Sequence, residues 1–314
     1  MIAARPAGKG LHCGMRGPGR ASGRCGRVFP GASVMTADYT ASLRDRVVLV
    51  TGGTRGLGRE MALALVAAGA RVAITGAHAS DAMHETMAQA QATAGGGRMF
   101  AIVADVTRFE HCSRAVAEIR DHFGALHVLV NNAGLGMGAI SDTFTTEPAR
   151  FWQTDPQAWR AIVDTNLNGA FNMARAAAPL MVAQGFGKII NISTSDVTMV
   201  RRGYSPYGPS KAALEAASRI WAQDLAGTGV DVNVYLPGGA ADTDFLPAGP
   251  NRKGADGNLL PAAIMRRGIL WLCSDASTGR TGDRYIARLW NEALPAELAA
   301  EGARAAHVDK PAIM

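Results

Sequence analysis

Short apolar runs alternate with longer segments of helical periodicity along most of this chain. The first run is Val47–Val50, and residues 60–66 after it place their apolar side chains at helical spacing. Further apolar runs lie at residues 71–75, 99–103, 127–130, 188–192 and 230–235, and helical patterns lie at about 80–94, 110–123, 156–184 and 206–227. Fully apolar strands that alternate with helices are typical of a parallel sheet covered on both faces. We therefore predict an α/β fold with a doubly wound, mostly parallel sheet in one domain over residues 43–290.

The two ends of the chain lack this pattern. Residues 1–40 are rich in Gly and Arg and show neither helical nor strand periodicity, so they have too little apolar surface to offset their chain entropy. Three interpretations stay open: a disordered basic leader, a mitochondrial targeting segment, or a start codon assigned too early, with Met35 as the true first residue. Residues 291–314 are expected to form a C-terminal tail.

Charge and composition argue against several classes of protein. The net charge is +6, but residues 1–40 hold six basic residues against one acid, so the predicted domain is close to neutral. A neutral domain gives no support for nucleic-acid binding. No apolar run approaches the length of about 18 residues that a membrane span needs. The four cysteines share no metal-ligand spacing, so we expect no metal and a reducing, cytoplasmic location.

A glycine-rich turn follows the first strand directly. Its sequence is Thr51-Gly-Gly-Thr-Arg-Gly-Leu-Gly58, and a helix begins within it. Glycines let the backbone approach a pyrophosphate, which then lies at the positive N-terminus of the helix. No Gly-Lys-Ser/Thr closes the turn, which excludes a P-loop. The order of strand, turn and helix predicts a dinucleotide site; the alternative is that the glycines serve only a tight turn.

Polar residues also follow the third and fourth strands. Asp105 comes after the third strand, and Asn131-Asn132-Ala133-Gly134 follows the fourth. Ligands of open parallel sheets bind beyond the carboxyl ends of the strands, so we expect both positions to face a nucleotide. For the two asparagines, simple turn chemistry is an equally good explanation.

Tyr207 and Lys211 carry the strongest chemical signal. They open the helix that follows the fifth strand, and residues four apart lie on one helix face. The pKa of an unperturbed tyrosine is about 10, and a nearby cation lowers that pKa toward the range in which a phenol exchanges protons at neutral pH. The pair therefore predicts an acid/base centre; the alternative is a surface tyrosine beside a solvated lysine.

Together these motifs resemble the short-chain dehydrogenase/reductase family. The resemblance rests on the turn Thr51–Gly58, the segment Asn131–Gly134, Asn166, the pair Tyr207/Lys211 and Pro237-Gly238, in the family's order and close to its spacing. It implies a Rossmann-like fold, a nicotinamide cofactor and hydride exchange between a carbonyl and a secondary alcohol. It also implies a homodimer or homotetramer that acts on a small molecule.

The resemblance assigns roles to individual residues. Tyr207 would be the general acid/base, Lys211 would bind the nicotinamide ribose and lower the pKa of Tyr207, and Asn166 would hold a water that continues the proton relay. Where the family usually has a serine, thirteen residues before the tyrosine, this chain has Thr194. Its hydroxyl can still bond the substrate oxygen, and Ser195 is the alternative. The expected cofactor-binding residues are Gly52, Thr54, Arg55, Gly56, Leu57, Gly58, Asp105, Val106, Asn132, Ala133, Gly134, Tyr207, Lys211, Pro237 and Gly238.

The choice of cofactor depends on the end of the second strand. NAD-users carry an acid there that bonds the ribose 2′-hydroxyl, whereas a 2′-phosphate needs cations. Gly76-Ala77-His78 offers no acid, and Arg55 lies in the glycine turn. We therefore predict NADP as the cofactor, with NAD as the alternative.

Two long loops are candidates for the wall of a substrate pocket. Residues 135–156 carry Met137, Phe144, Phe151 and Trp152, and residues 238–260 form the second loop. A mostly apolar wall suits a hydrophobic or cyclic alcohol, but packing on the domain or on a partner subunit explains these residues equally well. Arg201 and Arg202 offer either an anion-binding group or solvated charge.

The sequence thus favours an NADP(H)-dependent oxidoreductase that acts on a carbonyl or secondary alcohol. One alternative is a nucleotide-binding regulatory or scaffold protein of the same fold, which only Thr194 favours. Another is an epimerase or dehydratase that passes through a transient ketone and consumes no cofactor.

Overall fold

The computed structural model describes residues 39–249, 252–254 and 257–306. The predicted leader therefore lies outside the described residues except for its last two positions. Within the described ranges, the strands are β1 (Val47–Thr51), β2 (Arg71–Gly76), β3 (Met99–Val103), β4 (Val128–Asn131), β5 (Gly187–Ile192), β6 (Val230–Leu236), β7 (Ala241–Asp242), β8 (Leu260–Pro261) and β9 (Arg284–Ile286). The helices are α1 (Gly56–Ala67), α2 (Asp81–Ala94), α3 (Phe109–Phe123), α4 (Pro156–Val163), α5 (Gly169–Gln184), α6 (Asp196–Met199), α7 (Tyr207–Asp224), α8 (Arg266–Cys273) and α9 (Ala296–Ala303).

Seven of these strands form one sheet in the order β3-β2-β1-β4-β5-β6-β9. Every pairing in it is parallel, so the predicted doubly wound fold is confirmed and the sheet is wholly parallel. The chain first builds outward from β1 to β3 and then crosses back to β4, on the other side of β1. In such sheets the ligand crevice lies at this switch point, beyond the carboxyl ends of the strands.

The strands are apolar on both faces because helices cover both sides of the sheet. Val48 and Val50 of β1 pack into one buried cluster together with α1 and α8. Val47 and Leu49 point the other way, into a second cluster built from α3 and α5. The period of two along a strand thus divides one continuous apolar run between two cores.

Local sequence sets where the helices begin and end. Asp155 begins α4, since its carboxylate accepts hydrogen bonds from the backbone N–H groups of Gln157 and Ala158 and proline occupies the first helical position. Gly124 and Gly185 end α3 and α5 in the left-handed conformation, which glycine adopts without steric cost. The predicted long helix over 156–184 is present as α4 and α5, joined by a π-helical turn at Asp164–Asn168.

The segment after β9 packs on the sheet as far as it is described. α9 buries Ala299, Ala300 and Ala303, and Arg304 pairs with Tyr285 through an antiparallel bridge. The predicted tail therefore contains a helix that contributes to one of the two cores. None of the helices within the described residues combines the length and the apolar character that crossing a membrane requires.

Candidate functional site

The glycine turn joins β1 to α1 by close backbone packing. Gly52 has a φ of +61°, a conformation that glycine adopts at no steric cost. A Cβ on Gly58 would lie 2.3 Å from the carbonyl oxygen of Gly52 and 2.4 Å from Nδ2 of Asn132. A residue with a side chain at position 58 would therefore push the start of α1 away from the turn, and with it the backbone N–H groups that begin the helix.

Asn132 and Thr51 hold the turn against the end of β4. Nδ2 of Asn132 donates to the carbonyl oxygens of Thr51 (2.9 Å) and Gly52 (3.0 Å). Oγ1 of Thr51 in turn accepts from the backbone N–H groups of Asn132 and Ala133, each at 3.0 Å. Asn131 plays a different part, since its buried Nδ2 donates to Oδ1 of Asn191 at the end of β5. Both asparagines are thus bound within the protein, and Asn132 also lines the cavity described next.

A cavity of about 960 Å³ opens at the carboxyl ends of the central strands. The fifteen residues predicted to bind the cofactor, from Gly52 to Gly238, all line it, and Thr194 does so as well. The volume lies at the upper end of the range for ligand pockets, about 300 to 1,000 Å³. The cavity therefore has room for a dinucleotide and a small substrate together.

The lining of this cavity also fits a nicotinamide dinucleotide chemically. Gly76, Ala77 and His78 line it where β2 ends, without an acid among them. Arg55 lies at the start of α1 and forms no ion pair with any part of the chain that the structure describes. Oδ1 of Asp105 accepts hydrogen bonds from the backbone N–H and the hydroxyl of Thr107, which fixes the carboxylate at the cavity wall.

Burial and a neighbouring hydroxyl shift the pKa of Tyr207 in opposite directions. Burial raises the pKa of Tyr207 to about 12, and a hydrogen bond with the Thr194 side chain partly opposes this rise. Burial therefore dominates the pKa of Tyr207, and the phenol is protonated at neutral pH. The lowering of this pKa by Lys211 stays a prediction.

Lys211 is buried one helical turn after Tyr207. Its side chain is 4 % exposed, and Nζ donates to the carbonyl oxygen of Ile192 at 2.8 Å. Burial lowers the pKa of Lys211 to about 8, and the carboxylate of Glu215 opposes the change. The ammonium thus lies at the cavity wall beside the end of β5.

The side-chain amide of Asn166 is fully bonded within the protein. It lies in the π-helical turn and is 1 % exposed. Nδ2 donates to the carbonyl of Leu135 and to Oγ of Ser210, both at 3.0 Å, and Oδ1 accepts from the backbone N–H of Leu135 at 2.8 Å. Both amide hydrogens are already bonded and the side chain does not line the cavity, so the amide fixes the backbone of Leu135. A relay water held by Asn166 stays a prediction.

The three hydroxyls after β5 have different surroundings. Oγ of Ser195 accepts from the backbone N–H of Thr198 and bonds its hydroxyl, so Ser195 caps α6. Ser193 is buried, and its backbone N–H donates to the carbonyl of Tyr235. Thr194 is the one whose side chain bonds Tyr207. All three residues line the cavity, and the choice of Thr194 over Ser195 for the substrate oxygen stays a prediction.

Aromatic side chains line the cavity beside Tyr207. The ring of Phe144 meets that of Tyr204 edge-on, with centroids 5.8 Å apart, and Met137 lines the same cavity. By contrast, Phe151 and Trp152 are 70 % and 65 % exposed and do not line it. Only part of the predicted apolar wall from residues 135–156 therefore faces the cavity.

The two arginines before Tyr204 also separate. Arg201 lines the cavity, where its guanidinium lies 4.8 Å from the centre of the Tyr204 ring and donates to the hydroxyl of Tyr204. Arg202 does not line the cavity.

Phe245 and Arg288 are among the lining residues that the sequence-based prediction did not name. The ring of Phe245 packs edge-on against Tyr207, with centroids 5.6 Å apart, and Arg288 lines the cavity after β9. Phe245 is an aromatic residue in the predicted loop 238–260, which was a usable signal. No sequence signal pointed to Arg288, because its position depends on a three-residue strand and on a backbone hydrogen bond to Pro237.

Comparisons with known proteins agree with this geometry. The family model described as short chain dehydrogenase matches residues 46–251. A short-chain type dehydrogenase/reductase from Picea abies is 36% identical over 230 residues, which cover 72% of this chain and 82% of that protein. A 3-oxoacyl-[acyl-carrier-protein] reductase from Synechocystis is 34% identical over 211 residues, which cover 67% of this chain and 81% of that one.

A solved structure gives the same result in three dimensions. A putative short-chain alcohol dehydrogenase from Sinorhizobium meliloti superimposes with a TM-score of 0.67 at 30% identity, covering 78% of this chain and 95% of that one. Three separate observations thus agree on the family: the family model matches about two thirds of the chain, the sheet is parallel, and the curated relative from Picea abies carries the same family name. This chain belongs to the short-chain dehydrogenase/reductase family of oxidoreductases.

Proposed function

We propose that this oxidoreductase uses NADP(H) to interconvert a ketone and a secondary alcohol. The observation that carries the proposal is that Tyr207, Thr194 and Lys211 meet in the same cavity as the glycine turn. A proton donor, a second hydroxyl and a buried cation thus share one space with a dinucleotide-binding turn. The bound nicotinamide supplies the hydride for reduction or accepts it in oxidation.

The residues of the chain handle the proton. In reduction, Oη of Tyr207 donates its proton to the carbonyl oxygen as that oxygen becomes a hydroxyl. The Thr194 hydroxyl, which bonds Tyr207, holds the same oxygen and stabilises the negative charge that develops on it. Because burial raises the pKa of Tyr207 to about 12, the phenol is in its acid form at neutral pH. This protonation state favours reduction of the carbonyl.

Lys211 and Asn166 support this chemistry from two sides. The Lys211 ammonium, held by the carbonyl of Ile192, would bind the nicotinamide ribose and stabilise the phenolate that remains after proton transfer. Asn166 would act through Leu135, since its amide bonds both backbone groups of that cavity residue. This makes Asn166 a positioning residue of the proposed site.

The cavity wall supports NADP as the preferred dinucleotide. A 2′-phosphate needs cations and is repelled by an acid at the end of β2. Gly76, Ala77 and His78 present no such acid, and Arg55 faces the same cavity. NAD stays the alternative, because His78 and Ala77 stand where a second arginine would strengthen the preference.

An apolar substrate fits the apolar wall formed by Met137, Phe144 and Phe245. Curated relatives include an acetoacetyl-CoA reductase from Shinella zoogloeoides, 34% identical over 194 residues that cover 62% of this chain and 73% of that protein. We therefore place 3-oxoacyl thioesters beside hydrophobic cyclic ketones in the first panel of substrates.

The test measures the rate of NADPH consumption with each substrate of this panel. The fall in NADPH absorbance gives that rate. Tyr207→Phe should lower kcat about 10²- to 10⁴-fold and leave NADPH affinity largely unchanged, because the phenylalanine keeps the ring and loses only the proton donor. Tyr204→Phe is the matched control; it removes a hydroxyl from the same cavity and should change KM more than kcat. Wild-type turnover by Tyr207→Phe would contradict the proposed acid.

A further inference from the structure

The chain leaves β5 just before the residue whose hydroxyl bonds Tyr207. The strand ends at Ile192, so the pairing of the sheet no longer fixes Thr194. Two hydrogen bonds hold the first part of this exit: Nζ of Lys211 donates to the carbonyl of Ile192 at 2.8 Å, and the backbone N–H of Ser193 donates to the carbonyl of Tyr235 at 2.9 Å. Neither of these bonds involves Thr194, so a further contact is needed to fix the position of Thr194.

Arg284 supplies this contact from the edge strand β9. Its Nη2 donates to the backbone carbonyl of Thr194 at 3.0 Å. Its Nε faces the carboxylate of Glu215, at 3.0 and 3.1 Å from the two oxygens. Because the guanidinium is planar and its donors are fixed relative to one another, binding Glu215 on one side orients the donor that holds Thr194.

This ion pair is shielded from solvent. The side chains of Arg284 and Glu215 are 22% and 21% exposed, so water competes for these bonds less than at the surface. The pair therefore ties three elements together: β9 through Arg284, α7 through Glu215, and the segment after β5 through Thr194.

Glu215 also reaches the cation of the site. It lies one helical turn beyond Lys211 on α7, and residues four apart share a helix face. Its carboxylate favours the charged form of Lys211, against the opposing effect of burial. One ion pair thus holds the backbone carbonyl of Thr194 and acts on the ammonium of Lys211.

We propose that Arg284 and Glu215 form a positioning pair that sets the Thr194 hydroxyl in place for proton transfer at Tyr207. The inference rests on the proposed function, because it assumes that Thr194 and Tyr207 act on the substrate oxygen. Neither residue of the pair lines the cavity, so both act through Thr194 and not on the substrate. A misplacement of about 1 Å can cost up to about 10²-fold in rate.

The experiment is a double-mutant cycle on kcat for ketone reduction. Arg284→Met alone should lower kcat about 10- to 100-fold, with KM for NADPH nearly unchanged. In a Thr194→Ala background the same change should lower kcat no further, because the group that Arg284 positions is gone. Arg284→Lys, which keeps the charge and loses the planar fork of donors, should behave alike with a smaller effect, and it carries the test if Arg284→Met fails to fold.

Arg304→Met is the matched control. Arg304 is also a partly buried arginine beside β9, and its ion pairs are with Asp283 and Glu301 and not with the Thr194 segment. Its replacement should lower the melting temperature without a selective loss of kcat.

Two results would overturn the positioning role. One is a loss of kcat for Arg284→Met that is equal in the wild-type and the Thr194→Ala backgrounds, and the other is no loss at all. A Thr194→Ala enzyme with wild-type turnover would overturn the assignment of Thr194 and the pair's role with it, whereas wild-type turnover by Tyr207→Phe would overturn the proposed function.

Discussion

At the residue scale, the surroundings of each hydroxyl decide what it can do. Ser195 uses its oxygen to cap the start of α6, Ser193 is buried after β5, and Thr194 bonds Tyr207 in the cavity. Three neighbouring residues with the same functional group therefore have three different environments. All three line the cavity, and among them it is Thr194 whose side chain bonds Tyr207.

The corresponding prediction concerns these three positions. Thr194→Ala should lower kcat about 10²- to 10³-fold, the usual effect of removing a donor that stabilises a developing oxyanion. Thr194→Ser keeps the hydroxyl and should stay active. Turnover numbers at saturating NADPH measure both effects.

Ser193→Ala and Ser195→Ala are the controls for this series. Both should retain most of the activity, although Ser195→Ala loses a helix cap worth about 1 kcal/mol of stability. If Ser195→Ala were the inactive variant, the substrate hydroxyl would belong to Ser195 and the assignment of Thr194 would be wrong.

Much of the site was predictable at this scale because its motifs are local in sequence. Tyr207 and Lys211 are four residues apart, and the spacing to Thr194 identified the hydroxyl that bonds the tyrosine. Asn166 shows the limit: its position was predicted, but the use of its amide depends on Leu135 and Ser210, which are 31 and 44 residues away. The proton affinity of Tyr207 also depends on burial, which spacing alone does not reveal.

At the element scale, the start of α1 depends on a glycine that backbone packing requires. Gly58→Ala should lower the free energy of unfolding by about 1 to 3 kcal/mol, because overpacking forces backbone shifts. A Cβ there would lie 2.3 Å from the carbonyl oxygen of Gly52. Relieving this clash would move α1 away from the glycine turn. NADPH affinity should fall with the stability. Urea denaturation and cofactor titration measure the two effects.

Gly302→Ala in α9 is the matched control. Position 302 is also helical, and a Cβ there meets nothing within 4 Å. Replacing an unhindered helical glycine by alanine typically adds about 0.5 to 1 kcal/mol of stability. Equal stability of the Gly58→Ala and Gly302→Ala proteins would show that α1 can move without cost.

The elements that the sequence predicted are those with long apolar periodicity. Six strands of the main sheet lie within one or two residues of their predicted bounds. The seventh, β9, has only three residues and pairs with β6 alone, so its pattern is too short to separate it from a loop. The π-helical turn in the long helix was not predictable either, because tertiary contacts such as those of Asn166 stabilise it.

At the scale of the whole molecule, the cavity links stability to cofactor binding. A ligand that binds the folded state alone raises the free energy of unfolding by about 2.7 kcal/mol at one hundred times its Kd. The site joins segments far apart in the chain, from Gly52 to Gly238, so unfolding of any one of them releases the cofactor. The predicted cytoplasmic location and the homodimer or homotetramer stay predictions at this scale.

The last prediction uses this linkage to test the choice of cofactor without any substrate. NADP⁺ near one hundred times its Kd should raise the melting temperature by roughly 5 to 10 °C, since 1 kcal/mol corresponds to about 2 to 4 °C in a domain of this kind. NAD⁺ at the same concentration should raise it less.

Gly76→Asp should reverse this order, because a carboxylate accepts a hydrogen bond from the ribose 2′-hydroxyl and repels a 2′-phosphate. A new Cβ there lies 3.1 Å from Cε of Met83, 3.2 Å from Cγ2 of Thr54 and 3.3 Å from the backbone carbonyl oxygen of His78, so these neighbours must shift by a few tenths of an ångström. Gly96→Asp adds the same charge where a Cβ meets nothing within 4 Å and should leave the order unchanged. A parent protein that NAD⁺ stabilises more than NADP⁺ would show that Arg55 and His78 do not select the 2′-phosphate.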